Sequence, residues 1–324
     1  MRKIFVFIFF WIFVLGGTLF ALQSAALTIS PAKFVFSADP GDVIETKMRV
    51  RNDLDRTVVH YPSFERYTVG EGGEEPVFLP SDFDLPTWIE VKPAKLTLGP
   101  KESQDVDIII RVPKDAQPGG HYAAIFWQTA PPEGEEGGRV GIVTRVGALV
   151  LLEVSGEVIE QGEILSFEAP KKVFNRLPIT FSFALKNTGT VHLGPTGQVT
   201  IKNIFGKTKA ILEVNPGVYY ALPNTTRTFY TQSWEPEGGM PKIEGSGFFS
   251  ELKGEKAGFA LGYYKANLSI QYGKEKKTGQ ASFGFWVLPW RVLLVGILIM
   301  AVILLILTKG IQKYNQWVIA RARR

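Results

Sequence analysis

The sequence predicts an all-β protein: two tandem Ig-like β-sandwich domains followed by one C-terminal transmembrane helix. Three observations predict it. Between the two ends, hydrophobicity alternates with period two, and Pro, Gly and Asn punctuate it at turns. That stretch repeats its landmarks at an offset of about 140 residues, as a duplicated unit would. Near the C-terminus, the run from Val292 to Leu307 carries no polar side chain.

The chain opens Met1-Arg2-Lys3, stays uncharged from Ile4 to Leu22, and reaches the small residues Ser24, Ala25 and Ala26. A basic start, an apolar core and small residues at the cleavage positions form a secretory signal. Residues 1–26 are therefore read as a signal peptide, cleaved after Ala26. An uncleaved anchor is the alternative, because the apolar run is longer than most signal cores.

Residues 27–156 make the first domain. In Ile44–Arg51 the charges fall on one face, and Val106, Ile108, Ile110 and Val112 alternate with Asp105, Asp107 and Arg111. Such patterns mark half-buried antiparallel strands. Val146 to Val154 is apolar on both faces at several positions, as a central strand would be. Trp127, inside Ala123-Ala124-Ile125-Phe126-Trp127, is assigned to the core. Gly70–Glu75 and Pro131–Gly138 are Gly-rich acidic loops, the second joining the last two strands.

Residues 157–287 make the second domain, with Ile179, Phe181, Phe183 and Leu185 alternating against Thr180, Ser182, Ala184 and Lys186. The duplication rests on matched points at offsets of 140, 135 and 142 residues: Phe34 with Phe174, Asn52 with Asn187, and Tyr122 with Tyr264. Each tyrosine follows a glycine before a late strand, where it can bury its ring and bond backbone through its hydroxyl. Pro236 to Lys256 shows no alternation. A loop that long is uncommon unless it is functional or has structure of its own.

Residues 288–308 read as a transmembrane helix. From Trp290 to Thr308 it counts about 19 residues, enough to cross nearly 30 Å of hydrocarbon. Trp286 and Trp290 suit an interfacial aromatic belt, and Arg291 is expected to snorkel outward. Residues 309–324 form a basic tail with Lys309, Lys313 and no acidic residue, which places the C-terminus in the cytoplasm. Trp290, Arg291, Lys309 and Lys313 are the expected membrane anchor residues.

The formal charge of +5 looks at first like an affinity for nucleic acid. Two basic residues, however, belong to the signal and six lie from Arg291 onward. Removing these eight from the 36 leaves 28 basic residues against 31 acidic, a net of −3. The body is mildly acidic, so no nucleic-acid partner is expected, and the tail serves topology and anionic lipid.

Chemistry is sparse. His60, His121 and His192 fit no metal-ligand spacing and are read as surface or strand-end residues. There is no cysteine, nucleophile elbow, P-loop or dinucleotide fingerprint. The carboxylates Glu71, Glu74, Glu75, Glu133, Glu135 and Glu136 sit in Gly-rich loops that solvate charge. A hydrolase would instead bring two of them, such as Glu74 and Glu135, together in a cleft. No catalytic residue, metal or cofactor is expected. Recognition remains. Phe248, Phe249, Tyr219 and Tyr220 are the candidate interaction surface, with Phe248-Phe249 preferred because no core demands them there. Sandwich edge strands offer a second route, by strand addition.

The first domain also resembles the WxL-interacting proteins of bacterial cell surfaces. The match runs through Pro40-Gly41-Asp42, the strand ending Val50-Arg51-Asn52-Asp53, Leu98-Gly99-Pro100-Lys101-Glu102, and Pro118-Gly119-Gly120-His121-Tyr122-Ala123-Ala124-Ile125. That resemblance implies a cell-surface protein whose first domain binds peptidoglycan and whose second contacts other surface proteins, a wall-associated WxL-type protein among them. The expectation is a single-pass, membrane-anchored envelope protein, its domains extracytoplasmic, that binds peptidoglycan or a surface protein. An extracytoplasmic chaperone-like assembly factor for surface proteins or pili is the alternative.

Overall fold

The computed structural model describes residues 27–70, 74–129, 145–243 and 245–322. The expected signal, Glu71 and the carboxylates Glu133, Glu135 and Glu136 lie outside the described residues. Contacts divide the chain into two compact units that meet in sequence at Gly156 and Glu157, with Val69–Val77 grouped in the second.

Along the first unit run β1 (Leu27–Ser30), β2 (Lys33–Ala38), β3 (Val43–Asn52), β4 (Val58–Val69), β5 (Pro76–Leu79), a helical turn α1 (Leu85–Trp88), β6 (Ile89–Lys92), β7 (Leu96–Leu98), β8 (Ser103–Arg111), β9 (Gly119–Gln128) and β10 (Arg145–Val154). One sheet has the order β1-β3-β8-β6 and the other β2-β10-β9-β4-β5, with β7 paired to β4. The alternation read from sequence sets the inner faces. β3 turns Met48 and Val50 inward and β8 answers with Val106, Ile108 and Ile110, all at most 1% exposed. From the other sheet come Ile125, Trp127, Val150 and Leu152, so both sheets close on one core. Each fully buried aliphatic side chain stabilises the unit by about 1.5–3 kcal/mol. On the outer face Arg49 donates to both Asp105 oxygens at 2.7 and 3.0 Å. That pair is solvated, and screening by water leaves it little weight in holding the sheet. β10 sits between β2 and β9 with Leu151 and Leu152 both buried, the central position its composition predicts.

The second unit contains β11 (Gly162–Glu168), β12 (Val173–Phe174), β13 (Ser182–Asn187), β14 (Thr196–Asn203), β15 (Thr208–Glu213), β16 (Thr226–Tyr230), α2 (Phe248–Ala257), β17 (Gly262–Tyr272), β18 (Lys277–Val287) and α3 (Trp290–Ala322). Its sheets are β11-β13-β16 and β12-β18-β17-β14-β15. The core is aromatic: Phe181 packs on Phe285 at 5.3 Å and Phe183 stacks on Phe229 at 5.3 Å. Ile179, Phe181, Phe183 and Leu185 are all buried, as their spacing requires.

The units share a sheet-switching first segment. β1 pairs antiparallel with β3 before β2 pairs parallel with β10; β11 pairs antiparallel with β13 before β12 pairs parallel with β18. Each third strand also ends on a fully buried asparagine. Asn52 donates to the carbonyls of Arg56, Leu98 and Gly99 at 2.7, 3.1 and 2.8 Å. Asn187 donates to those of Val191 and Ala221 at 2.7 and 2.9 Å. These side chains satisfy carbonyls where the sheet ladder stops, which is why a polar residue is tolerated at full burial. The expected tyrosine corner forms in the second unit, where buried Tyr264 donates its hydroxyl to Leu261 O at 3.1 Å.

The irregular stretch 236–256 has structure of its own: its end folds as α2, a helix with no apolar periodicity to announce it. One expectation changes. The last helix runs from Trp290 to Ala322, so Lys309, Lys313 and Arg321 lie on the same helix as the apolar run and not on a separate tail. Its apolar side chains are exposed, and its apolar window has a mean hydropathy of 2.9.

Candidate interaction surfaces

The hairpin joining β14 to β15 presents apolar side chains to solvent. Asn203 closes its turn: Oδ1 accepts from the N–H groups of Phe205 and Lys207 at 3.2 and 3.0 Å. Gly206 supplies the left-handed residue, φ 76°, that the turn needs, and donates to Asn203 O at 2.9 Å. The turn is held by its own hydrogen bonds, yet Phe205 is 85% and Ile204 65% exposed. Beyond it β15 ends the path of its sheet, with Ile211 60% exposed on the outer face. Sequence reasoning missed this site. Its signal was two large apolar residues directly before a Gly-Lys turn, where a hairpin tip normally places polar ones.

Tyr219 and Tyr220 occupy the β15–β16 connection, shaped by buried Asn215. Its Nδ2 donates to Pro195 O and Tyr219 O at 3.1 and 2.9 Å, and its Oδ1 accepts from Tyr219 N at 2.8 Å. Tyr219 is exposed, with the Arg227 guanidinium 4.9 Å from its ring centroid. Tyr220 packs edge-on against His192 at 5.0 Å and is partly buried, so it serves packing more than recognition. Burial pushes the Tyr220 hydroxyl up. Burial first, and the Lys274 charge second, push His192 down to about 4.

Phe248 and Phe249 open α2 and have a different neighbourhood. Phe248 lies 6.3 Å from the ring of Trp290 and 5.6 Å from Phe249, which is 82% exposed. The helices α2 and α3 are joined by Glu255, fully buried. Its Oε2 accepts from the backbone N–H groups of Arg291 and Val292 at 2.8 and 3.2 Å, and its Oε1 accepts from Arg291 Nη1 at 2.7 Å. A carboxylate at a helix start satisfies free N–H groups and complements the dipole. Arg291 therefore does not snorkel: its side chain, 18% exposed, turns back onto Glu255. Lys309 and Lys313 lie well along α3, exposed.

No family model and no curated protein sequence matches the chain significantly. Among solved structures it is similar to a chain of the chaperone–tip adhesin complex of CFA/I fimbriae biogenesis, with 12% identity, 82% of this chain and 100% of that one covered, and a TM-score of 0.36. It is likewise similar to the Salmonella enterica SafA pilin–SafB chaperone complex (12% identity, 82% and 99% covered, TM-score 0.35) and to the E. coli chaperone DraB (12% identity, 82% and 98% covered, TM-score 0.34).

The remaining titratable candidates lie apart. His60 is 1% exposed on β4, not at the surface, and burial pushes its imidazole down. His121 lies at the start of β9, its Nδ1 on Asp84 Oδ1 and its Nε2 2.8 Å from Gln117 O. Burial alone would lower its pKa, but the Asp84 hydrogen bond, the Gln117 carbonyl and the Asp84 charge together outweigh it, and the net shift is upward. Glu74 and Glu75 are exposed. Among the described residues no three His, Cys, Asp or Glu side chains are grouped to hold a metal.

Proposed function

We propose that the chain is a non-catalytic, single-pass membrane protein of the cell envelope that acts as a chaperone-like assembly factor, holding extended segments of surface proteins. One observation carries this reading. In the second unit the terminal strand β15 carries exposed Ile211 and adjoins a turn-stabilised tip that displays Ile204 and Phe205. An edge strand offers unpaired backbone groups to an incoming strand, and a rigid exposed aromatic beside it supplies an anchor at low entropic cost. On the exposed face of β15 Ile211 lies between Lys209 and Glu213, so the edge is charged at both ends and leaves one large apolar side chain uncovered at its centre.

In this reading the units are two tandem Ig-like domains, exported and extracytoplasmic. The shared sheet switch and the matching buried asparagines support the duplication. The helix α3 is the anchor, and the basic residues toward its C-terminal end orient that end to the cytoplasm. Peptidoglycan, implied for the first domain by the likeness to WxL-interacting proteins, is the competing ligand.

The test places a photo-crosslinking residue at Phe205, at Ile211, or at exposed Lys47 in the full-length protein, in cells that naturally carry it. Discrete adducts with extracytoplasmic proteins from positions 205 and 211, and not from 47, are expected. Retention on cell-wall sacculi with no adduct from 205 or 211 would overturn the assembly-factor reading in favour of wall binding.

A further inference from the structure

The residues Phe248-Phe249 look from sequence like an anchor for a protein or glycan partner, but their surroundings point to lipid. From Arg291 to Lys309 the helix α3 contains no charge, a rise of about 27 Å at 1.5 Å per residue, close to the hydrocarbon thickness of a bilayer. The outer boundary of that span therefore falls at Trp290 and Arg291. Whatever is fixed against Trp290 stands at the depth where headgroups meet acyl chains.

The helix α2 is fixed there. Glu255 receives two backbone N–H groups and the guanidinium of the first turn of α3, so the two helix ends share one buried carboxylate. Glu251 bridges the same Arg291 at 3.8 Å and Arg176 at 3.2 Å, tying α2 to the segment before β13 as well. The Phe248 ring lies 6.3 Å from Trp290 and carries Phe249 outward beside it. The chain segments flanking these helices leave other large apolar side chains uncovered: Phe259 at 50% and Leu261 at 47% exposure after α2, and Trp286 at 47%, near the end of β18, and Leu288 at 37% before α3. A soluble surface rarely gathers so much apolar area without a partner, and aromatic residues beside a span start are characteristic of the membrane interface.

We infer that the first turn of α2, led by Phe249, inserts into the outer-leaflet interface, and that Glu255 locks it there so that the second unit is seated on the bilayer at two points and does not swing freely on α3. The occupant of this apolar surface is the bilayer, because the surface is continuous with the start of the span. The inference rests on reading α3 as a membrane span.

The chain has no cysteine of its own, so a single introduced one reports a single position. Full-length Phe249→Cys and Ala301→Cys, the latter in mid-span, are labelled with an environment-sensitive fluorophore and reconstituted into phospholipid vesicles containing lipids with a quencher at shallow or deep positions. Both changes are at exposed side chains, so the fold is retained. The label at 301 is expected to be quenched by deep lipids. The label at 249 is expected to be quenched by lipids bearing the quencher about 5–10 Å into the headgroup boundary. Adding Glu255→Gln, which weakens the clamp, is expected to reduce quenching at 249 and leave 301 unchanged. Quenching at 301 with a water-like signal at 249 overturns the inference and leaves the anchor standing. A water-like signal at both positions overturns the anchor reading itself. Undiminished quenching at 249 in the Glu255→Gln background overturns the locking role of Glu255.

Discussion

Replacing Asn187 with Leu is the sharpest test of how the second unit is held. The side chain is fully buried at the end of β13, with every polar atom used. Nδ2 donates to Val191 O at 2.7 Å and Ala221 O at 2.9 Å, and Oδ1 accepts from Gly189 N at 2.9 Å. Leucine keeps the branched heavy-atom skeleton of asparagine, with bulkier methyl ends, so the main change is the loss of hydrogen bonding. Ala221 O keeps a second donor, Leu193 N at 2.9 Å, and is not orphaned. Val191 O and Gly189 N lose the side-chain partner that the buried corner provides, at about 1–3 kcal/mol each. With a small return from the added apolar surface, the net cost is about 3 kcal/mol. On a domain of this size that lowers Tm by roughly 10 °C. The assay is thermal unfolding of the full-length protein in detergent, followed by tryptophan fluorescence. Trp234, 7% exposed, reports the core of the second unit, and Trp127, fully buried, reports the first. Only the transition of the second unit is expected to move, while Lys186→Ala, its exposed neighbour, is expected to stay within about 0.5 kcal/mol of wild type. A change no larger than that of Lys186→Ala would refute the argument that Asn187 closes the strand end.

Three further outcomes follow from other sites. His192, ordinarily near 6.5 and held at about 4 by burial and Lys274, binds its proton more weakly folded than unfolded. Stability of the second unit is therefore complete above pH 6.5 and declines as pH falls toward 4, by up to about 3 kcal/mol. His192→Gln is expected to flatten that decline in urea melts, and an unchanged acid limb would count against it. His121 has the opposite sign: its raised pKa contributes stability that is present below about 6.5 and lost as pH rises through the folded value. Asp84→Asn should therefore destabilise the first unit more at pH 5.5 than at pH 8.5, and an equal loss at both would reject the pairing. Ile211→Lys removes the one apolar side chain from the exposed face of β15 and sets a third charge between Lys209 and Glu213, which disfavours strand addition. It is expected to change stability by less than about 0.5 kcal/mol and to abolish crosslinking from position 205; persistence of the adducts would show that the edge is not used.

What could be read from the sequence divides along a physical line. Alternation in 44–51, 105–112 and 179–185 is a local consequence of having one buried face, so the strands and their inward residues were legible. The apolar run of α3 was legible as well, since a stretch from Val292 to Leu307 without a polar side chain needs no periodicity to be recognised. The helix α2 was not. Its sequence, Phe-Phe-Ser-Glu-Leu-Lys-Gly-Glu-Lys-Ala, includes a glycine and no apolar stripe, and it is stabilised by Glu255 contacting residues 36 positions later. His60 was misread for a related reason: an imidazole in an alternating strand carries no mark of which face it occupies until the register of β4 against β9 and β7 is known. Tyr219 and Tyr220, adjacent in sequence, part company because Asn215 sets the backbone that turns one ring outward and the other onto His192.

The fate of Arg291 links these strands of reasoning. A lone arginine at the start of an apolar helix reads as a snorkelling residue, because in isolation its cheapest route is back to water. Here a buried carboxylate already waits, and leaving Glu255 without a cation would cost about 3–5 kcal/mol. The pair forms because each ion removes the other's penalty, and the backbone N–H groups of Arg291 and Val292 complete the carboxylate's shell. A simple membrane tether has no need of such a junction, since the apolar helix alone suffices to anchor. A buried ion pair at the junction contributes geometry instead: it fixes the angle at which the second unit leaves the helix. For a protein proposed to offer the edge of that unit to passing segments of other chains, a fixed angle keeps the edge at a constant height and orientation above the membrane.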